Sequence, residues 1–377
     1  MSRSTLVALA GALLLSACDD TTDSALSPDF DREANGETDA GYVITMSNAI
    51  AGNMAMVFPR GADGSLGAPV RYPTGGTGTG GGLGNQAAIV ASVSGRHVYL
   101  VNAGSHSISV FENRRGRLRH AQTIGSGGTE PISIALTSRI LYVLNDGSPA
   151  NITGFSIGGD GRLTPISNST RPLSVAIPNA AQIGFGRGGR TLVVTEKATN
   201  QIVTFAIVDR RPTAMRTTTS NGATPFGFEL DSRDRLIVSE AFGGAANASA
   251  VSSYLLREGG PVTVSASVPT TESAACWIVI TADGRYTYTS NTGSNTISGY
   301  QVASDGSLTI LDSDGITATT GAGPIDMALS RGTQAFLYSL NGGDQSISIL
   351  AVGPGGALTP AGTTTGLPVG ANGLLAF

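Results

Sequence analysis

Residues 276–308 read CWIVITADGRYTYTSNTGSNTISGYQVASDGSL. An apolar run leads into a D-G turn. An alternating run then ends at Asn291, and a short turn, a further run and a second D-G turn follow. Short Gly-containing turns between such runs signal antiparallel hairpins. Further copies are ASVSGRHVYLVNAGSHSISVFENRRGRL at 91–118 and ALSRGTQAFLYSLNGGDQSISILAVGPGGAL at 328–358. ILYVLNDGSPANITGFSIGGDGRL at 140–163 and YVITMSNAIAGNMAMVFPRGADGSL at 42–66 match from their second strands on. Two less regular copies are GFGRGGRTLVVTEKATNQIVTFAIVDRRP at 184–212 and FELDSRDRLIVSEAFGGAANASAVSSYLLREGGP at 228–261.

The last residue of each second strand marks the repeat: Asn48, Asn102, Asn145, Glu196, Glu240, Asn291 and Asn341. A four-strand unit recurring every roughly 40–50 residues is the period of a β-propeller blade. Seven markers give seven blades. The first copy lacks its leading strand, and the closing GANGLLAF resembles GPIDMALS at 323–330. The expectation is therefore an all-β, seven-bladed propeller over residues 41–377, closed by a C-terminal strand added to the first blade. Such closure removes exposed sheet edges.

Composition agrees. The chain of 377 residues has 52 Gly, 40% hydrophobic and 13% charged residues, and a net charge of -4. Nothing there points to nucleic acid. The one basic run, RRGRLR at 114–119, falls on an outer hairpin and reads as a solvated face. The Gly76, Gly78 and Gly81 pattern in GGTGTGGGLG (75–84) has no following helix or Lys. It reads as a flexible connection between the first two blades, not as a nucleotide loop.

The N-terminus carries Arg3, an apolar run from Leu6 to Leu15, and then Leu15-Ser16-Ala17-Cys18. The run is too short for a stable span and reads as a signal peptide over 1–17. The final four residues resemble the lipobox of bacterial lipoproteins. That resemblance implies cleavage before Cys18, lipidation of Cys18, and a membrane partner through the lipid anchor. Residues 18–40 read as a lipidated Cys and a disordered tether. The protein is then exported and lipid-anchored, facing the periplasm or the outer surface. It reads as a monomer, with a small molecule or an envelope protein as its unknown partner. Cys276 alone remains, so no internal disulfide forms.

The motifs RTLVVTE, GRHVYLVN and GRYTYTSN resemble those of lactonase-family, YVTN-repeat seven-bladed propellers, the group of 6-phosphogluconolactonase-like proteins and fungal carboxymuconate cycloisomerases. The resemblance implies a Glu at the Glu196 position and, in some members, a His on a blade's first strand. Here the matching segments carry Ser133, Gln182 and Asp326 instead.

In a propeller the first strand of each blade lines the axis, and it starts on the face where the second strand ends. The expected inner ring is Ala88, Ser133, Gln182, Gly227, Trp277, Asp326 and Asn372. Asn is a natural turn-starter, whereas Glu is not, so Glu196 and Glu240 in adjacent blades are candidate catalytic residues. Lys197 is the only lysine and stands beside them. Lys197, Trp277, Gln182, Ser133 and Asn291 are expected at a ligand-binding mouth. Glu196, Glu240 and Asp326 offer hard oxygen ligands for a divalent metal such as calcium. Besides a purely structural surface protein, against which the acidic pair and Trp277 count, two functions stay open. One is a ligand- or protein-binding module using its top face, which the missing His favours slightly. The other is a sugar-acid lactone hydrolase using mouth carboxylates and a divalent metal.

Overall fold

A computed structural model describes residues 41–377. The signal peptide, Cys18 and the tether lie outside the described residues. The described chain forms seven antiparallel sheets. Six are simple meanders whose first strand is innermost. The inner strands of blades two to seven are Ile89–Ala91, Pro131–Leu136, Ala180–Gly186, Pro225–Leu230, Ala275–Ile280 and Pro324–Leu329. Blades three and six extend their outer edge with the short strands Arg171–Pro172 and Ala318–Thr319.

The first blade is composite, as the split repeat requires. The C-terminal strand Asn372–Ala376 pairs with Gly41–Met46, with Val43 opposite Ala376 and Thr45 opposite Leu374. The seam is tightened at its end. The Phe377 N–H donates to the Tyr42 carbonyl (2.9 Å), Arg60 Nε donates to the Phe377 carbonyl (3.2 Å), and the two rings stack at 4.4 Å.

The core lies between neighbouring sheets, because each strand alternates its side chains across two faces and both faces are covered. One buried cluster joins Ile44 and Val57 of blade one to Val98 and Leu100 of blade two and Val143 of blade three. A tyrosine in the second strand ties four blade pairs. Tyr99, Tyr142, Tyr288 and Tyr338 each donate to an outer-turn carbonyl of the next blade, at Gly161, Arg210, Gly356 and Gly64 respectively (2.8–3.0 Å). Between blades five and six, Arg235 does this work. It pairs with Asp231 and donates to the carbonyls of Ala303 (2.6 Å) and Gly284 (2.8 Å).

Candidate functional site

The seven marker residues do not face an open mouth. All are fully buried. In blades two, three, six and seven the Asn side chain turns into its own blade and ties down the third strand, whereas Asn48 bonds Thr79 and Gly81 of the linker after blade one. Asn102 donates to Ser107 (3.2 Å) and Ser109 (2.8 Å), and Asn291 donates to Thr296 (3.1 Å) and Ser298 (2.8 Å). Glu196 and Glu240 have the reversed polarity, accepting where Asn donates, and of the two only Glu240 takes a donor from its third strand, Ser252. Glu196 accepts from the Ser174 N–H (3.0 Å), the Ser174 hydroxyl and Thr199 Oγ1 (2.7 Å). Glu240 accepts from the Gly222 N–H (2.8 Å), Ser252 Oγ (2.6 Å) and Ser267 Oγ (2.7 Å). Asp326 lies apart from both, on the axis. Among the described residues no three His, Cys, Asp or Glu gather as a metal site. The expected calcium-type set of Glu196, Glu240 and Asp326 is therefore not brought together.

The inner strands carry a hydrogen-bonded girdle around the axis. Ser133 Oγ accepts the Ile183 N–H of the next blade (3.1 Å), and Gln182 Oε1 accepts the Phe228 N–H (2.7 Å). Asp326 Oδ1 accepts the Met327 N–H (2.8 Å), and its carboxylate also takes the N–H of Leu374 in blade one. Blade five has Gly227 at this place and no side chain to offer. Gln86 supplies the missing acceptor from the linker between blades one and two. Its Oε1 accepts the Ile278 N–H (3.0 Å), and its Nε2 donates to the Ile278 carbonyl (2.7 Å).

That linker is not a slack connection. It crosses the face of the marker turns, the entry face of the inner strands, as an ordered strap, bonded through the Gly78 N–H to the Ala49 carbonyl (2.8 Å) and through Asn48 Nδ2 to the Gly81 carbonyl (2.6 Å). Residues 84–86 then fill the axis. Lys197 Nζ donates to the Gly84 carbonyl and sits 4.6 Å from the centre of the Phe226 ring. Trp277 Nε1 donates to the Asn85 carbonyl (2.7 Å) and its ring packs on Phe226 at 5.0 Å. Asn85 Nδ2 donates to the Ile132 carbonyl, and the Gln86 N–H to that of Ala181 (3.1 Å). Burial pushes the Lys197 amine down to about 8, against the pull of Asp146 and Cys276. The same burial pushes the Cys276 thiol up to about 11, which leaves it an inert packing residue at neutral pH.

Beneath this plug lies an axial cavity of about 320 Å³. Gln86 is at its closed end, and the strand ends Ala91, Ile280, Leu329 and Ala376 surround the other, where exposed Arg331 stands. The mouth therefore opens on the face opposite the marker turns. Two carboxyls line the cavity, Glu229 and Asp326. Burial raises Glu229 to about 7, opposed by the Leu230 N–H. Burial also holds Asp326 well above the usual carboxylate range, and the charge of Glu229 adds to the effect. A second cleft of about 240 Å³ shares Glu229 and Ile280 and continues past Asp231, Arg233 and Asp283. Two acids of shifted proton affinity in one cavity form an arrangement suited to proton transfer at a bound substrate.

Of the expected mouth residues, Lys197 and Trp277 hold the plug, Gln182 and Ser133 belong to the girdle, and Asn291 is an interior tie. Glu229 and Gln86 were not singled out from the sequence. Glu229 had a readable signal. Equivalent inner-strand positions are Ala135, Gly184, Val279 and Ala328, and an acid among small apolar residues breaks the repeat.

The family described as lactonase, 7-bladed beta-propeller matches residues 57–177 and 244–372, more than half of the chain. The gap, 178–243, holds Lys197, Gly227 and Glu229. Comparison with curated proteins found no match. Among solved structures, a candidate 6-phosphogluconolactonase of Bacteroides fragilis is 18% identical with a TM-score of 0.68, covering 91% of this chain and 100% of that one. The periplasmic gluconolactonase of Pseudomonas aeruginosa is 16% identical with a TM-score of 0.67, covering 88% and 98%. A Lactobacillus plantarum protein is 16% identical with a TM-score of 0.70, covering 89% and 99%. At these identities the likeness is one of fold.

Proposed function

Since the chain belongs to the lactonase seven-bladed β-propeller family, we propose that it hydrolyses a small lactone in the axial cavity, with Glu229 as general base and Asp326 as general acid. The observation that carries this reading is the pair of carboxyls that burial has shifted upward inside one cavity. A base near 7 is half ionised at neutral pH and matched to its task. Glu229 takes a proton from water as the water oxygen bonds to the lactone carbonyl carbon. When the ring C–O bond breaks, protonated Asp326 gives its proton to the departing ring oxygen. The proton on Glu229 then returns the pair to its starting state. The product is an open hydroxy acid, which gives up its carboxyl proton to solvent, and the resulting carboxylate is repelled by the ionised Glu229 and meets Arg331 at the rim. A volume of about 320 Å³ stands at the low end of ligand pockets, which run roughly 300–1,000 Å³, and suits a monocyclic lactone.

A binding function on the entry face has less support, since residues 84–86 fill the axis there. A pH-stat assay over a panel of monocyclic lactones tests the hydrolase reading. Turnover is expected for at least one of them and is lost in Glu229→Gln by at least about 100-fold. Turnover that persists in this variant refutes the assignment. The leader supports an exported chain anchored through Cys18, for which palmitate labelling abolished by Cys18→Ala is the test.

A further inference from the structure

Gln86 does more than fill the gap at Gly227. Its Nε2 donates to the Ile278 carbonyl and also reaches Glu229 Oε1 at 3.5 Å. The amide is fixed at both ends, because its Oε1 is held by the Ile278 N–H and its backbone N–H by the Ala181 carbonyl. A rigid donor therefore faces the carboxyl from across the axis. In all six other blades a residue larger than Gly stands at the equivalent place: Ala88, Ser133, Gln182, Trp277, Asp326 and Asn372. Gly227 is what admits it, since a Cβ there would overlap Gln86 Oε1.

We propose that Gln86 is a positioning residue for Glu229, carried to the cavity by the strap and locked there by Lys197 and Trp277. This rests on the reading of Glu229 as the general base. The amide favours the carboxylate form, because an N–H donor stabilises a charged acceptor more than a neutral one. It thus holds the base partly ionised in a cavity whose burial drives it towards the neutral acid. The other charged groups around Glu229 are Asp231 and Arg233 on its own hairpin, Asp283 of blade six, and Asp326 and Arg331 of blade seven. None of them is altered by changing Gln86.

The repeat supplies a control for a merely structural role. In blade three the hydroxyl of Ser133 accepts the next blade's N–H. Gln86→Ala combined with Gly227→Ser removes the clash with Gln86 and offers Ile278 an acceptor without giving Glu229 a donor. The new Cβ still stands 2.6 Å from the Cys276 carbonyl oxygen, so this variant is read only where its melting shows it folded, and Gln86→Met, which adds no atom at 227, is read beside it. The carboxyl titration of Glu229 is read by infrared difference spectroscopy against Glu229→Gln, in the wild type, in this double variant and in Gln86→Met. We expect the midpoint to rise by roughly half to one pH unit in both variants, and the acid limb of kcat/KM to move with it. A midpoint unchanged in the folded double variant overturns the proposal. Because the spectroscopic reading needs no substrate, it decides on Gln86 even if lactone hydrolysis by Glu229 is itself refuted.

Discussion

Gln86 occupies the space that Gly227 leaves empty, and its amide makes with Ile278 the girdle bond that blade five cannot make for itself. The two residues are separated by more than two blades of sequence. They meet because the linker after blade one runs inward to the axis before it begins the inner strand of blade two.

Gly227→Val should therefore act on the plug. A Cβ at this position would overlap Gln86 Oε1 and stand 2.6 Å from the Cys276 carbonyl oxygen. Overpacking of this kind typically costs about 1–3 kcal/mol. Urea unfolding should show that loss, and Gln86→Ala should recover part of it. Full additivity of the two changes would argue against direct contact.

Lys197→Met removes the ammonium from Gly84 and from the Phe226 face while keeping an apolar side chain. The strap loses a charged donor, a bond worth about 1.5–3 kcal/mol. Hydrogen exchange at residues 80–86 should accelerate by at least about tenfold, with the outer strands unaffected. Unchanged exchange in the strap would mean that Trp277 and Asn85 hold it alone.

Glu196→Gln and Glu240→Gln are expected to lower stability by roughly 1–3 kcal/mol each, because each carboxylate accepts from several buried donors that an amide NH₂ cannot satisfy. Lactone turnover, assayed well below the melting temperature, should stay within about twofold of wild type. A loss of turnover with unchanged melting would return these two residues to the active site.

The pH dependence of stability has a defined sign. Glu229 titrates at about 7 in the folded protein and near 4.5 in the unfolded chain, so the folded state holds the proton more tightly. Its contribution is fully present below about pH 4.5 and is lost as pH rises through about 7, by on the order of 3 kcal/mol at most. Asp326 shifts in the same direction. Melting temperature should fall between pH 5 and 8, and Glu229→Gln should flatten that slope and melt higher than wild type at pH 8. A steeper slope in the variant would contradict the assignment.

The blades and their closure were legible because repetition exposes itself: the D-G turns, the alternating second strands and the orphan final strand all recur in sequence. The chemistry was not legible in the same way. Glu196 and Glu240 break the Asn pattern, yet strand alternation turns those positions into the blade, where a Glu accepting from Ser and Thr replaces an Asn donating to them. Lys197 is legible as a mouth residue beside Glu196, but its partner Gly84 belongs to a Gly-rich run whose composition reads as a flexible connection. Gln86 has no local signature, since its role arises from a missing side chain in another blade. Glu229 departs from its small apolar sister positions, but it lies near the end of the inner strand, towards the face opposite the marker turns where the breaks in the Asn pattern fall.

The location of the site is tested most directly by a crystal structure with a δ-lactam analogue of a turned-over lactone. The account predicts the analogue in the axial cavity, its ring N–H, which stands where the lactone has its ring oxygen, within hydrogen-bond reach of Asp326, its carbonyl carbon facing a water held by Glu229, and the strap unmoved over the entry face. An analogue bound on the entry face, with residues 84–86 displaced and Glu229 untouched, would contradict it.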